Sequence, residues 1–443
     1  MALYLLADVG STWTKLTAVD DAGSVVAQAS APTTVSTDIM QGFNAALVEI
    51  RTQAGSKEDK ILACSSAAGG LAMIACGLVP ELTGQAAKLA VLGAGAKVLR
   101  VYGYNLNRDD VREIDNLRPD ILLLAGGTDG GNKRFLLENA QVVAENVKPL
   151  PVVLAGNRNA VHEAAEMLEA AGFSAEIAGN VMPELNRLDI EPARESIRNL
   201  FLRHIVRAKG METLSRSLAA PLIPTPAAVL EAGKFLAREI GELLLVDVGG
   251  ATTDVYSFGG VEVPTGMMRK GLEPPWDMRT VEADIGMRYS LSSLVEQAGR
   301  ENILALAPQR EQWQEELDKI LAIPGRLVSP GMVELETHLA RAAVRISALR
   351  HAGSVERIYS PNGSVDVLTG KDLRGMKTVI GVGGVMVNNP DPRGILAIGN
   401  EGLLPENPRL MLDSKYIMAA AGLLAASEPR LAGRMLADSL AAL

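Results

Sequence analysis

Two short stretches with the same pattern determine the fold of this chain. The first is Leu3-Tyr-Leu-Leu-Ala-Asp8-Val-Gly10-Ser-Thr-Trp-Thr-Lys15, and the second is Leu243-Leu-Leu-Val-Asp247-Val-Gly249-Gly250-Ala-Thr-Thr-Asp254. Each is an apolar run typical of a buried strand, followed by Asp-Val-Gly, a turn rich in hydroxyl groups and a second apolar run. Two copies are too few for a solenoid, so they predict two related domains.

The chemistry of both turns suits phosphate, although either turn taken alone could be an ordinary β-turn. Glycine lets backbone N–H groups approach phosphate oxygens, and Lys15 would add a positive charge for the β- and γ-phosphates. Asp8 and Asp247 would be repelled by bare phosphate, so we expect them to hold Mg²⁺ through water. The predicted phosphate-binding residues in the two turns are Gly10, Ser11, Thr12, Gly249, Gly250, Thr252 and Thr253.

A third glycine cluster, Val379-Ile-Gly381-Val-Gly383-Gly384-Val385, lies downstream of both turns. Alone it is a weak signal. Following the paired turns, it is where a purine and its ribose would pack against backbone, and we predict nucleotide contacts at Gly381, Gly383 and Gly384.

Between the two copies the chain alternates predicted strands and helices. Apolar runs at Ile121–Ala125 and Val152–Ala155 are typical of buried parallel strands, each followed by a helical pattern. We therefore expect an inserted α/β subdomain at residues 85–190. The first domain would comprise 1–84 and 191–238, closed by a C-terminal helix at 416–443, and the second would comprise 239–415.

Composition limits the class of protein. The chain has 443 residues, of which 48% are hydrophobic but only 4% aromatic, so its core must be built from Ala, Leu, Val and Ile in α/β layers. The net charge of −9 disfavours a nucleic-acid partner. Asp8 interrupts the first apolar run, which argues against a signal peptide. No stretch of about 18 apolar residues follows that could span a membrane. We expect a cytoplasmic protein with no membrane partner.

The three glycine-containing elements resemble the phosphate-1, phosphate-2 and adenosine motifs of the actin/Hsp70/sugar-kinase ATPases. Thr225–Gly233 and Ala419–Gly422 resemble the two connecting helices of that superfamily. The resemblance implies two actin-like (ribonuclease H-like) ATPase domains that use ATP and Mg²⁺. Thr225 stands where Hsp70 has a glutamate, which implies a differently oriented water or slow hydrolysis. The implied Mg²⁺- and phosphate-handling residues are Asp8, Lys15, Asp247, Thr252 and Asp254.

A narrower resemblance covers nearly the whole chain. Cys64–Leu71, Gly77–Thr83 and Leu124–Asn132 are similar to the glutamate-mutase-associated MutL family, also called GlmL. This resemblance implies an ATP-driven, chaperone-like reactivating factor. Its protein partner would be an adenosylcobalamin-dependent mutase of the glutamate mutase or aminomutase type, whose damaged cobalamin it exchanges. A homo-oligomer is compatible with this role.

Two other functions are weighed against this one. A small-molecule kinase of the same fold would need a general base, for which Asp129 is a candidate, although a turn residue is its simpler interpretation. An iron–sulfur dehydratase activator would need Cys64 and Cys76, which lie in apolar sequence. The loops 126–132 and 156–159 are predicted to share one sheet edge, either as a contact surface for the mutase or as tight turns with Asn132 capping a helix.

Overall fold

The computed structural model describes residues 3–10, 13–34, 37–66, 72–205, 210–323, 326–360, 363–399 and 401–443. They divide into two compact units. Unit 1 contains residues 1–229 and 271–273, and unit 2 contains residues 230–270 and 274–443. Within the described ranges, no helix is both long enough and apolar enough to cross a bilayer.

Unit 1 contains two sheets and the helices that cover them. Its strands are β1 (Leu3–Val9), β2 (Trp13–Asp20), β3 (Val25–Pro32), β4 (Lys60–Ser65), β5 (Ala72–Gly77), β6 (Lys97–Gly103), β7 (Ile121–Leu124), β8 (Pro151–Leu154), β9 (Ser174–Ile177) and β10 (Ile223–Pro224). Its helices are α1 (Ile39–Ala54), α2 (Gln85–Gly93), α3 (Arg108–Leu117), α4 (Arg134–Asn146), α5 (Val161–Ala170), α6 (Glu191–Ile205), α7 (Met211–Ser217) and the start of α8 (Thr225–Ile240).

The first sheet of unit 1 has the strand order β10-β4-β1-β2-β3. β1, β2 and β3 form an antiparallel meander, and β4 and β10 run parallel to β1. This is the ribonuclease H-like arrangement expected from the sequence. Helix α1 covers the meander: Asp38 caps its start by accepting from Met40 N, and Gly55 ends it at φ +66°. Its buried face is Ile39, Gly42, Phe43, Ala46, Leu47 and Ile50.

The second sheet of unit 1 is entirely parallel, with the order β6-β5-β7-β8-β9. Numbered within the subdomain this is the doubly wound order 2-1-3-4-5. Helices α3, α4 and α5 share one hydrophobic cluster with the sheet, while α6 contacts α2. The inserted α/β subdomain predicted from the sequence is thus present as a sheet with its own core.

Unit 2 repeats the ribonuclease H-like arrangement. Its strands are β11 (Leu243–Val248), β12 (Thr253–Phe258), β13 (Met267–Lys270), β14 (Asp277–Glu282), β15 (Ser354–Ser360), β16 (Gly363–Thr369), β17 (Thr378–Val382), β18 (Arg409–Asp413) and β19 (Leu440–Ala442). Its main sheet has the order β14-β12-β11-β17-β18-β19, and β13-β16-β15 form a smaller one. The β14-β12-β11 meander is antiparallel, and β17 and β18 run parallel to β11.

After α8, the helices of unit 2 are α9 (Leu291–Ala298), α10 (Arg300–Ala305), α11 (Arg310–Ala322), α12 (Val333–His351), α13 (Gly384–Val387), α14 (Pro392–Leu396), α15 (Met418–Ala425) and α16 (Pro429–Ser439). Helices α9 to α14 bury one large apolar cluster against the main sheet. Helix α12 contacts β11, β12 and β14 and supplies Leu335, Leu339, Ala343 and Val344 to this core.

The domain boundaries drawn from the sequence remain a prediction, and two hydrogen-bonding patterns bear on them. β5 pairs with β6 and β7, so the inserted sheet begins at residue 72, ahead of residue 85. At the other end of the chain, β19 pairs with β18 in the main sheet of unit 2. By these pairings, 72–77 belongs to the inserted sheet and 440–442 to the main sheet of unit 2.

A buried histidine makes the stability of unit 2 dependent on pH. His351 lies between Ser257 Oγ and Thr280 Oγ1, at 2.7 and 2.8 Å from its ring nitrogens. Burial, followed by the charge of Lys371, lowers the pKa of His351 well below its ordinary value of 6.5. The native state therefore keeps the ring neutral at a pH where the unfolded chain takes up a proton.

We expect the free energy of unfolding to fall as the pH drops below about 6.5, by no more than about 1.4 kcal/mol per pH unit from this group. His351→Gln should flatten that slope, whereas His162→Gln, at an exposed position of α5, should leave it unchanged. Denaturant titrations between pH 5 and pH 8 measure the effect. Equal slopes in the wild type and in His351→Gln would contradict it.

Candidate functional site

The first Asp-Val-Gly stretch forms a tight hairpin between β1 and β2. Gly10 N donates to Trp13 O at 3.0 Å, and a Cβ at Gly10 would lie 2.7 Å from the same oxygen, so the turn requires glycine. Asp8 is directly opposite Lys15 in the ladder, which puts both side chains on one face of the sheet. Ser11 and Thr12, which the sequence assigns to phosphate, lie outside the described residues.

The carboxylate of Asp8 is held by two donors from neighbouring parts of the sheet. Thr225 Oγ1 donates to Asp8 Oδ1 at 2.7 Å, and Cys64 Sγ lies 3.6 Å from the same oxygen. Burial, with the charge of Asp8 next in size, raises the pKa of the Cys64 thiol well above its usual value. The thiol therefore stays protonated and acts as a donor to Asp8.

The second Asp-Val-Gly stretch forms a matching hairpin between β11 and β12. Gly249 N donates to Thr252 O at 2.9 Å, the counterpart of the bond that closes the first hairpin. Asp247 is opposite Asp254, as Asp8 is opposite Lys15. The internal repeat seen in the sequence is therefore also a repeat of backbone geometry.

In the structure the Asp254 carboxylate is bonded to a buried arginine, and its predicted role in handling Mg²⁺ and phosphate stays a prediction. Arg279, which is almost fully buried, forms an ion pair with Asp254 Oδ1 at 2.5 Å and a second bond to it through Nε at 2.8 Å. Thr252 Oγ1 donates to the other carboxylate oxygen at 3.3 Å. Because both oxygens are engaged and a buried guanidinium needs its partner, we assign Asp254 to holding Arg279.

Thr253, the other hydroxyl residue predicted to bind phosphate in this turn, is buried. Its side chain is completely buried, whereas its neighbours Thr252 and Asp254 are partly exposed. Alternation along the strand turns the Thr253 hydroxyl into the interior of the unit. Only the backbone of Thr253 can therefore contribute to a ligand site on the hairpin.

The segment Met287–Ser290, which was not predicted from the sequence, holds the second turn by hydrogen bonds. Its backbone N–H groups donate to the carbonyl groups of the turn: Met287 N donates to Gly249 O at 3.0 Å, and Arg288 N and Tyr289 N both donate to Gly250 O, at 2.7 and 2.9 Å. The Ser290 hydroxyl donates to Ala251 O at 2.6 Å. Since C=O and the following N–H of a trans peptide point in opposite directions, these bonds turn the N–H groups of Gly250, Ala251 and Thr252 away from the segment. Those N–H groups suit an anion.

The third glycine cluster divides between the site and the core. Asp247 is paired with Val382 on β17, and Gly383 follows at φ +114°. A Cβ at Gly383 would lie 2.5 Å from Val248 O and 3.2 Å from Asp247 Oδ1, so only glycine fits beside this carboxylate. Gly384 begins α13, whereas Gly381 packs against side chains of the core.

The donor set fits Mg²⁺ better than a metal held wholly by protein. Within the described ranges, no group of three or more His, Cys, Asp or Glu side chains could hold a metal ion. Among the described residues, the two bonds to the Asp8 carboxylate both end on Oδ1. Mg²⁺ takes one or two carboxylates and completes its shell with phosphate oxygens and water, so Asp8 in unit 1 and Asp247 in unit 2 each have the chemistry of a ligand through water.

The loops at the carboxyl edge of the inserted sheet are held by their own side chains. Asp129 Oδ1 accepts from Arg158 N at 3.0 Å and from Asn180 Nδ2 at 2.9 Å, which ties the loop after β7 to those after β8 and β9. Asn132 Oδ1 accepts from Phe135 N at 3.1 Å at the start of α4. These bonds favour the interpretation of the loops as tight turns over a general base at Asp129.

Asn157 is the buried centre of these loops, and its removal should be costly. Its Nδ2 donates to Gly131 O at 3.1 Å and to Asn132 O at 3.2 Å. We expect Asn157→Ala to lower the free energy of unfolding by about 1–3 kcal/mol, because the loop loses both bonds. Asn146→Ala, at an exposed position of α4, should cost less than about 0.5 kcal/mol. Chemical denaturation of both variants measures this, and equal costs would contradict it.

Comparison with known proteins identifies the family. A family model described as "MutL protein" matches residues 4–440. Protein MutL of Clostridium tetanomorphum is 45% identical over 455 residues, covering 98% of this chain and 98% of that relative. Solved structures with 10–12% identity include a ligand-bound xylulose kinase from Lactobacillus acidophilus (TM-score 0.39, 100% of this chain and 93% of that one) and component A of (R)-2-hydroxyglutaryl-CoA dehydratase from Acidaminococcus fermentans (TM-score 0.35, 98% and 100%). By the family model and by this identity, the chain belongs to the MutL family.

Proposed function

We propose that this chain is an ATP-dependent reactivating factor for an adenosylcobalamin-dependent mutase of the glutamate mutase or aminomutase type. The observation that carries the nucleotide part is the repeated hairpin, in which Asp-Val-Gly is closed by the same N–H to carbonyl bond in both units. Membership of the MutL family supports the role in reactivation, through the resemblance to the proteins associated with glutamate mutase.

Each hairpin contributes groups suited to Mg²⁺ and triphosphate. Lys15 supplies a positive charge on the same face of the sheet as Asp8. In the second hairpin, the turned N–H groups after Gly249 supply donors. Asp8 and Asp247 are the residues that would hold Mg²⁺ through water, and a bound Mg²⁺ would neutralise phosphate charge during hydrolysis.

Hydrolysis would drive the exchange of cofactor through a change of conformation. A ligand can shift a conformational equilibrium only if it binds one state better than the other, and ATP and ADP differ by a phosphate and its charge. ATP and ADP must therefore stabilise different states of the chain. The inserted subdomain, which has its own core, is the part we assign to contact with the mutase.

The alternatives receive less support from the described residues. The Asp129 carboxylate, a candidate base for a kinase, is used within the subdomain by Arg158 N and Asn180 Nδ2. Cys64 and Cys76, candidate ligands of an iron–sulfur cluster, are both buried free thiols. Burial also raises the pKa of the Cys76 thiol strongly, which disfavours the thiolate that a cluster needs.

The rate of ATP hydrolysis with and without a mutase tests the proposal. The mutase should be used in two forms, one with intact adenosylcobalamin and one whose cofactor has been converted to hydroxocobalamin. We expect Mg²⁺-dependent hydrolysis that rises when the inactivated form is added and rises less with the intact form. Hydrolysis that ignores the mutase but rises with a sugar or another hydroxyl compound would favour the kinase, and no hydrolysis under any condition would refute both.

A further inference from the structure

Thr225 lies where three parallel strands of unit 1 end together. β10 ends at Pro224 and Thr225 is the first residue of α8. Ile223 is in register with Cys64 on β4, and Cys64 is in register with Asp8 on β1. The topology of the sheet therefore places the Thr225 side chain next to the Asp8 carboxylate, although 217 positions separate the two residues in the chain.

The hydroxyl of Thr225 determines how the Asp8 carboxylate is turned. Thr225 Oγ1 donates to Asp8 Oδ1 at 2.7 Å, a normal length for a hydroxyl that donates to a carboxylate. The Cys64 thiol approaches the same oxygen at 3.6 Å. Two donors on Oδ1 fix the plane of the carboxylate, so that Oδ2 is presented in one direction. A rotation of the carboxylate would break the stronger of the two bonds.

The backbone around Thr225 makes this donor rigid. Thr225 stands between Pro224 and Pro226, and proline fixes its own φ while restricting the residue before it. Threonine is β-branched, which limits rotation about χ1. Gly95, in the turn after α2, packs closely against this point: a Cβ there would lie 2.8 Å from Pro224 Cβ. The hydroxyl is therefore held in place before any ligand binds.

The geometry points to Thr225 as a positioning residue for the metal-binding carboxylate. It occupies Asp8 Oδ1 and leaves Oδ2 for the water that a bound Mg²⁺ would carry, so that little conformational entropy would be lost on binding. This inference rests on the proposed function, because it assumes that Asp8 holds Mg²⁺ with a nucleotide. The positioning role would account for a threonine at the position where Hsp70 has a glutamate.

The test compares Thr225→Val, which keeps the shape but loses the hydroxyl, with Thr225→Ser, which restores the hydroxyl. Calorimetric titration of ADP at several Mg²⁺ concentrations gives the Mg²⁺ concentration for half-maximal nucleotide binding, and the same series is followed by hydrolysis of ATP. For Thr225→Val we expect this concentration to rise about tenfold, the loss of one hydrogen bond to a charged group. Thr225→Ser should stay within about twofold of the wild type by the same reasoning.

Thr52→Val is the matched control, because the Thr52 hydroxyl donates to Val48 O on α1 and touches no part of the site. It should leave the Mg²⁺ dependence unchanged. If Thr225→Val does not fold, Thr225→Ala takes its place, compared with the same serine variant. An unchanged Mg²⁺ dependence in a folded variant without the hydroxyl would overturn the role of Thr225 alone. A wild-type chain that binds no Mg²⁺–nucleotide would overturn the proposed function, and this inference with it.

Discussion

Asp8→Asn and Asp247→Asn are each expected to abolish Mg²⁺-dependent ATP hydrolysis while the chain stays folded. The amide has nearly the shape of the carboxylate but lacks the charge that water bound to Mg²⁺ requires. In Asp8→Asn, the amide oxygen can still accept from Thr225 Oγ1, so the local structure should persist. Initial rates of phosphate release measure the activity, and thermal melting shows whether each variant is folded.

A third aspartate provides the control for these two variants. Asp20 accepts from Ala22 N and Ser24 N in the turn between β2 and β3, where asparagine is also tolerated. Asp20→Asn should therefore hydrolyse ATP at the wild-type rate. If Asp8→Asn and Asp247→Asn also hydrolysed ATP at that rate, the Mg²⁺ assignment would have to be abandoned.

Lys15→Ala is expected to weaken ATP binding or turnover about ten- to hundredfold, because a charge-assisted hydrogen bond contributes about 1.5–3 kcal/mol. The register places Lys15 opposite Asp8 on one face of the sheet. Calorimetry gives the affinity for ATP, and steady-state kinetics give the turnover. Lys60→Ala, at an exposed position of β4, removes a lysine elsewhere in the same sheet and should leave both unchanged. Unchanged affinity and turnover in Lys15→Ala would show that Lys15 faces solvent.

The sequence predicted the architecture well because its signals are local and repeated. Each Asp-Val-Gly hairpin combines an apolar strand with a turn glycine, and at Gly10 a Cβ would lie too close to the backbone of the turn. A few residues therefore suffice to predict the hairpin. Helix α1 follows equally local signals, because Asp38 caps its start. Its apolar residues recur at helical spacing, which predicts the buried face directly.

Other features depend on contacts that the linear pattern does not contain. β5 was not predicted as a strand, because Ala-Met-Ile-Ala-Cys-Gly has few β-branched residues and follows a glycine-rich run. β5 is a strand because it pairs with β6 on one side and with β7 on the other. Met287–Ser290 carries no motif, since it caps the turn mainly through backbone N–H groups that every sequence possesses.

The surroundings of two predicted site residues also depend on such contacts. Asp254 has the right spacing from Asp247 to match Lys15 in the first copy, but spacing does not show that Arg279 lies beside it on the adjacent strand β14. Thr253 has a hydroxyl in a turn rich in hydroxyls, but the alternation of strand β12 buries it. Conversely, Thr225 was recognised only as a departure from the Hsp70 pattern, and its bond to Asp8 needed the fold.

Recovery of activity by an inactivated mutase tests the account most directly. A mutase whose cofactor has been converted to hydroxocobalamin would be incubated with the chain, free adenosylcobalamin, ATP and Mg²⁺. We predict that mutase activity returns only when all of these are present, and that Asp8→Asn in place of the wild-type chain restores none. Recovery at the same rate without ATP, or no recovery with the complete mixture, would contradict the account.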